Sequence, residues 1–251
     1  MSDHGQRTGT ALQDKLARQS PFRNYQDLFV GKRGLWPLLK YELVVRFCTN
    51  TSGAWGLFWR RVLFKWLLKK ARGVVFGNHV TLRHPHKISI GEGTVIDDGV
   101  VLDAKGGETS HITIGRNCYI GRGTVLSCKG GSIEIGDHGN LGTYCQIQAE
   151  SPVVIGRDAL FASYVYIVAG GNHDFMRLDI PINRQILIKK GGIRIGDDCW
   201  LAARAVVLDG AHLGRGCVIG ASTTVTKPLP EYSVAMGTPA RVRINRKGPA
   251  A

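Results

Sequence analysis

The residues best suited to do chemistry fall in one short run, Gly170-Gly171-Asn172-His173-Asp174-Phe175. Imidazole can take and return a proton near neutral pH, so His173 is the candidate general base. The glycine pair ahead of it marks a point where the backbone can leave regular structure. Asp174 could orient the imidazole or simply cap a turn. Asn172, Phe175, Arg177 and Gln185 could shape an acceptor pocket or only pin the loop. A lone loop histidine is usually idle in solvent, so the weight of this reading rests on where the run falls in the chain.

It falls in the widest gap of a repeat. Between Ile90 and Val225 an aliphatic or aromatic residue returns every six positions: Ile90, Ile96, Leu102; Ile114, Ile120, Leu126; Ile135, Leu141, Ile147; Ile155, Phe161, Ile167; then Ile195, Leu201, Val207, Leu213, Ile219 and Val225. A helix requires spacings near 3.6 and a half-buried strand spacings of 2, so a sustained six predicts short flat strands joined by tight corners. Glycine often follows the anchor, as at Gly91, Gly115, Gly136 and Gly196, where a missing Cβ permits close backbone approach. The fifth position of many hexads is small. Three hexads to a coil stack the anchors into one continuous core, predicting an all-β parallel β-helix. After Ile167, 28 positions pass before Ile195, and so long an excursion from a regular coil is usually functional or disordered.

Six cysteines could mean disulfides or a metal site. Four of them, Cys118, Cys145, Cys199 and Cys217, occupy the small fifth position, and no C-x-x-C or C-x-x-H pair occurs. They are expected to be buried packing thiols in a reducing compartment.

The net charge of +14 sits mostly at the front: residues 1–72 hold 14 Lys and Arg against 4 acids. Two apolar, aromatic stretches lie there, Leu35 to Phe47 and Ala54 to Leu68. Both are too short and too charged to span a bilayer. Wound as one helix, the second stretch and its continuation place Arg61, Lys65 and Arg72 on one side, with Lys69 at the boundary, and Trp55, Trp59, Val62, Leu63 and Trp66 on another. Such a helix suits an anionic membrane surface, with residues 35–72 as the contact, or it packs on the end of the coil with its charges in water. Nucleic acid is disfavoured, because no zinc-finger spacing or RNP-type strand accompanies the basic residues. Residues 1–20 are polar and lack the apolar core of a signal peptide, and read as a loose lead-in. The expected organisation is a basic helical region over 1–72, a β-helix over 73–244 and a tail over 245–251.

The hexads, the Gly-Gly-Asn-His-Asp-Phe loop with Ile180-Pro181 after it, Ile195-Gly196-Asp197-Asp198-Cys199-Trp200-Leu201, Val218-Ile219-Gly220-Ala221, Val225-Thr226-Lys227 and Gly237-Thr238-Pro239-Ala240 together resemble the left-handed β-helix acyltransferases. The chain is most similar to the O-acetyltransferases related to maltose and galactoside acetyltransferase that serve polysaccharide assembly. The likeness runs from about Phe76 to Ile244 and extends weakly over residues 35–75. It implies a left-handed coil, a homotrimer with sites in the clefts between subunits, and acetyl-CoA as acyl donor without a metal. It implies His173 as general base, a backbone amide near Ala203 for the oxyanion, and coenzyme contacts at Ala203, Ala221, Thr226, Lys227 and Arg241. Two departures concern the ligands: Trp200-Leu201-Ala202 stands where the family has Trp-Ile-Gly, and a ligand-contacting Asn falls near Gly142.

The γ-type carbonic anhydrases share this coil, and His79 and His84 have the spacing of their paired ligands. Only His4 precedes them to supply a third. The function expected is therefore CoA-dependent O-acetyl transfer to a sugar hydroxyl in surface-polysaccharide or lipid-linked saccharide synthesis, at the cytoplasmic face of the cell membrane. The alternatives are a non-catalytic β-helix scaffold and an N-acetyltransferase acting on a nucleotide-linked amino sugar.

Overall fold

A computed structural model describes residues 19–248. Most of the polar lead-in, and the last three residues of the tail, lie outside the described residues. From Lys70 onward the chain winds into a parallel solenoid with three flat faces. Face 1 begins with Lys70–Ala71 and ends with His212–Leu213; face 2 runs from Val75–Phe76 to Ser233–Met236; face 3 runs from Thr81–Arg83 to Thr224–Val225. Within each face the strands stack in chain order, so every coil rests on the one before it.

The register explains the sixfold spacing. On face 2, Ile96, Ile120, Leu141, Phe161, Leu201 and Ile219 stand directly above one another. Every anchor named from the sequence, Ile90 through Val225, is at most 3% exposed. Face 1 also buries the residue two before its anchor, Ile112, Ile133, Val153 and Ile193 among them. These deepen the core without disturbing the period.

At the corners the backbones of successive coils nearly touch. A Cβ at Gly136 would stand 2.7 Å from the amide nitrogen of Arg157 in the next coil, which is why glycine follows the anchor there. Where the small fifth residue is Thr or Cys it also supplies a hydrogen-bond donor. Thr94 Oγ1 donates to the Gly115 carbonyl at 2.8 Å and Thr124 Oγ1 to that of Gly142 at 2.9 Å. The thiols of Cys118, Cys145 and Cys199 reach the carbonyls of Gly136, Ala162 and Gly214, each at 3.2 Å. All six cysteines are free and buried. Burial pushes the Cys145 thiol up to about 11 and the Cys128 thiol up to about 12, so both remain protonated at neutral pH.

Ahead of the solenoid lie a short helix α1 (Pro21–Tyr25), continued by a π-turn over Gln26–Val30, and a helical hairpin of α2 (Leu35–Asn50) and α3 (Gly53–Leu67). The second stretch was expected to continue as helix through Arg72, but it stops at Leu67. The Lys69 amide is taken by the Ile88 carbonyl of the first coil at 3.0 Å, and Lys70–Ala71 becomes the first strand of face 1. Lys69 and Arg72 therefore do not share the helical face of Arg61 and Lys65.

The hairpin caps the open end of the core. Phe64 meets Phe76 edge to face at 5.1 Å between ring centroids, and the Tyr41 hydroxyl donates to the Leu82 carbonyl at 2.8 Å. Arg60, only 2% exposed, donates from Nε to the Phe76 carbonyl at 3.0 Å and from Nη1 to that of Thr51 at 2.7 Å. One guanidinium thus joins the turn between the two helices to the first coil. Gly56 makes room for that turn, since a Cβ there would lie 2.2 Å from the Thr51 carbonyl oxygen. At the other end Arg241–Asn245 folds back antiparallel on Ser233–Met236 and ends the stack.

Thr124→Val removes the donor to the buried Gly142 carbonyl at nearly constant volume. It should lower unfolding stability by about 1–3 kcal/mol, whereas Thr113→Val on the solvent side of face 1 should stay within about 0.5 kcal/mol. Parallel denaturant titrations of the two variants check the difference.

Candidate functional site

The long excursion leaves face 3 after Ala169 and rejoins face 1 at Ile193. Its first turn needs both glycines: φ is +115° at Gly170 and +73° at Gly171, and a Cβ at Gly170 would lie 2.5 Å from the Glu150 Cβ. Glu150 Oε2 accepts the Gly171 N–H at 2.9 Å. His173 then pairs antiparallel with Leu187, flanked by Asp174 N–H to the Ile186 carbonyl at 2.9 Å and Ile188 N–H to that of Asn172 at 2.7 Å. The histidine therefore sits on a small two-stranded ribbon. It is half-buried, and its Nδ1 is shielded from solvent without a hydrogen-bond partner among the described residues.

Each neighbour takes a definite place. Asp174 Oδ1 accepts the Met176 N–H at 3.0 Å, a turn cap, and no hydrogen bond joins it to His173. Gln185 is buried and pins the tip, accepting the Arg177 N–H at 3.3 Å and donating to the carbonyls of Arg177 and Ile180 at 2.7 and 3.1 Å. Arg177 pairs with Asp179. Phe175 points out, with Met176, Leu178 and Ile182 exposed beside it.

The base of the ribbon hangs on Asp209, a residue the sequence pattern did not single out. It is 3% exposed, and its carboxylate accepts the N–H groups of Gly192 at 2.9 Å and Lys190 at 2.8 Å, with Asn172 Nδ2 at 3.5 Å. Both ends of the excursion are thus tied to one buried anion. The signal was available: Asp209 occupies the rung position held by Cys128, Ala149 and Ala169 in the coils below, where a carboxylate would otherwise be costly.

The nominated coenzyme residues fall at two edges of face 3. Ala203 and Ala221 are exposed at the corner between faces 2 and 3, one coil apart, joined by Ser222 N–H to the Ala203 carbonyl at 2.9 Å. The amides of Ala203 and Ala221 make no hydrogen bond among the described residues. On the same corner, in the coils below, Tyr144 and Tyr164 stack at 5.5 Å, and the Arg204 guanidinium lies 6.0 Å from the Tyr164 ring. Thr226 and Lys227 are exposed where the chain leaves face 3, the edge from which the His173 ribbon also departs two rungs below. Arg241 is exposed and follows Ala240, whose N–H bonds the Thr224 carbonyl at 2.8 Å. No hydrogen bond joins His173 to any of the five among the described residues. One chain therefore carries the His173 ribbon and the Ala203–Ala221 corner on opposite edges of face 3, with Thr226 and Lys227 on the edge of the ribbon.

Residues 192–227 match the family model described as bacterial transferase hexapeptide (six repeats). The hexapeptide pattern of that model continues through the rest of the solenoid. The coil is a left-handed parallel β-helix with the helical region in front. Among curated relatives, this hexapeptide protein is 37% identical to a probable acetyltransferase of Mycobacterium tuberculosis, over 46% of its own chain and 38% of the relative. It is 33% identical to an Escherichia coli protein named as a lipopolysaccharide biosynthesis O-acetyl transferase, WbbJ, over 44% of this chain and 59% of that one. The matches thus span between about a third and three fifths of the relatives' length. Among solved structures, a maltose O-acetyltransferase from Clostridium difficile covers 86% of this chain and 89% of its own, with 20% identity and a TM-score of 0.40. AntD, an N-acyltransferase from Bacillus cereus, covers 74% and 88%, with 22% identity and a TM-score of 0.48.

The two histidines with the spacing of the γ-type carbonic anhydrase ligands lie in different surroundings. His84 is buried, with Nε2 3.0 Å from the Asp27 carbonyl, whereas His79 turns outward at the preceding corner. Among the described residues no group of three or more His, Cys, Asp or Glu is clustered to hold a metal ion.

Asp209→Ala strands two amide groups at the base of the ribbon. Amide exchange over residues 170–192 should accelerate by about 10-fold or more, while the neighbouring strands 153–155 and 206–208 keep their protection. Exchange followed by mass spectrometry reads both regions at once.

Proposed function

We propose that this hexapeptide protein is a CoA-dependent O-acyltransferase that moves an acetyl group from acetyl-CoA to a sugar hydroxyl in surface-polysaccharide or lipid-linked saccharide assembly. The observation that carries the reading is the ribbon: a long break in an otherwise regular coil, tied down by Asp209 and Glu150, that carries one half-buried imidazole whose shielded Nδ1 has no hydrogen-bond partner among the described residues. A loop with no task would not require such anchoring. The names of two curated relatives point the same way, WbbJ for lipopolysaccharide and WcaF for colanic acid.

The chemistry follows from the donors and acceptors present. His173 takes the proton from the acceptor hydroxyl as its oxygen attacks the thioester carbonyl carbon. The tetrahedral oxyanion is met by the unpaired Ala203 amide. The carbon–sulfur bond then breaks, and the proton passes to the departing CoA sulfur. The small side chains of Ala203 and Ala221 leave room for a thin pantetheine arm, and Lys227 and Arg241 can neutralise phosphates at its far end.

A homotrimer fits the same geometry. The imidazole and the Ala203 corner stand on opposite edges of face 3, so a neighbouring copy that brings its ribbon to the corner completes the site. The exposed apolar tip, Phe175, Met176, Leu178 and Ile182, supplies a surface for that contact.

His173→Ala should reduce acetyl transfer by about 10²- to 10⁴-fold and leave the acetyl-CoA Kd within about twofold. Calorimetry and thiol release on the same preparations test this. Loss of CoA binding in the wild type as well would end the acyltransferase reading.

The hairpin suits a peripheral position on the cytoplasmic face of an anionic membrane. Leu35, Trp36, Leu39, Leu43 and Phe47 form one exposed stripe along α2, and Trp55, Phe58 and Trp66 are exposed on α3. Among the described residues no helix is long and apolar enough to cross a bilayer. Leu39→Asp with Leu43→Asp should abolish sedimentation with anionic vesicles without altering thermal stability, and unchanged vesicle binding would sink this part of the reading.

A further inference from the structure

Between α3 and the start of the solenoid lies an open groove of about 570 Å³, lined by Phe58, Arg61, Val62 and Lys65 of the helix and by Ala71, Arg72 and Gly73 of the first coil. Two elements build it. Arg61 and Lys65 lie one helical turn apart on α3, and Arg72 comes from the first coil because the helix stops at Leu67. All three cations are exposed, and none makes an ion pair or hydrogen bond among the described residues. Glu92 packs behind Gly73 and forms no ion pair with Arg72. Two corner arginines of the solenoid are matched by acids, Arg116 by Asp137 and Arg157 by Asp197. Here three like charges surround one groove and none of them is ion-paired among the described residues, while Glu92 lies beside Gly73 at its end.

The groove is continuous with the exposed aromatic face. Phe58 lines it and also packs with Trp55 at 6.0 Å and Trp59 at 5.4 Å between ring centroids. A ligand here meets cations from both elements, with the apolar side chains of Phe58 and Val62 beside them. Its volume lies within the range of small-ligand sites, and arginine is suited to grip phosphate oxygens with its planar fork.

We propose that this groove is a headgroup site for a phosphate-bearing membrane lipid, occupied when the aromatic face of the hairpin beds into the bilayer. It rests on the membrane reading above and adds a specific ligand to it. The phosphate lies among Arg61, Lys65 and Arg72, and the lipid chains pass along Phe58 toward the membrane. Free inorganic phosphate shares the charge but not the apolar half of the site.

The test is sedimentation of the full chain with phosphatidylcholine vesicles, with and without phosphatidic acid. It compares wild type, the groove variant Arg61→Gln with Lys65→Gln and Arg72→Gln, and a control of equal charge change, Lys129→Gln with Arg194→Gln and Arg215→Gln. The groove variant should lose about 10²-fold in partition onto phosphatidic acid vesicles, at roughly 1 kcal/mol per cation, while the control stays near wild type. Equal loss in both variants makes the effect one of net charge and overturns the site. An unchanged groove variant, with binding still lost in the Leu39→Asp and Leu43→Asp protein, overturns the site and leaves the membrane reading standing. Wild type that binds neither vesicle overturns both. Inorganic phosphate that displaces the protein from the vesicles at a concentration matched to lipid phosphate assigns the groove to a free anion, and the lipid proposal fails.

Discussion

Adjacent coils of this molecule are held one strand spacing apart, about 4.8 Å, and the remaining features are consequences of keeping that distance at the corners as well as along the faces. Strands keep it through their hydrogen-bond ladder. Corners have no ladder, so the chain uses residues with no Cβ where two backbones meet, and short hydroxyl or thiol donors where a carbonyl would otherwise be buried alone. The same constraint forces additions to the coil outward. Five of the described connections from face 3 to face 1 carry more residues than a tight corner needs, and the His173 ribbon is the longest of them.

Segments outside the repeat cannot use the ladder, and the chain holds the two largest of them with buried charges. Arg60 gives its guanidinium to carbonyls of the interhelical turn and of Phe76; Asp209 gives its carboxylate to amides at the base of the ribbon. A buried charge is costly unless its hydrogen bonds are made, and here the partners are backbone groups that would themselves be unsatisfied. Each ion and its partners therefore answer one another. The arrangement also makes each attachment specific, since an apolar residue at either position would pack without fixing where the segment leaves.

The difference between what repeats and what is attached explains how much could be read from the sequence. The anchors Ile90 to Val225, the corner glycines and the place of the ribbon follow from a single period, because a solenoid applies the same environment to the same position in every coil. The helical hairpin was legible for its two apolar stretches. Where α3 ends was not, because Leu67 stops there through a tertiary bond from Lys69 to Ile88 and not through any local breaker. Asp209 and Arg60 were missed because each acts once: Arg60 lies outside the repeat, and Asp209 puts a carboxylate on a rung that other coils fill with Cys128, Ala149 and Ala169. Gln185 and Asp174 were named, yet only coordinates separate a residue that pins a loop from one that faces a substrate.

Face 3 gives the molecule its functional geometry. Its strands are two to four residues long, so its two edges are about 7–13 Å apart at roughly 3.3 Å per residue. The unpaired amides of Ala203 and Ala221 line one edge, and the imidazole of His173 departs from the other. A general base and an oxyanion donor that serve one tetrahedral centre must each lie within about 3 Å of the atoms they meet, and in this chain face 3 stands between them. The trimer we propose joins the ribbon of one copy to the Ala203 corner of the next. The ribbon is tied at its base by Asp209 and Glu150, which sets the position of the imidazole relative to its own coil, while its apolar tip stays exposed as the surface the proposed trimer would use.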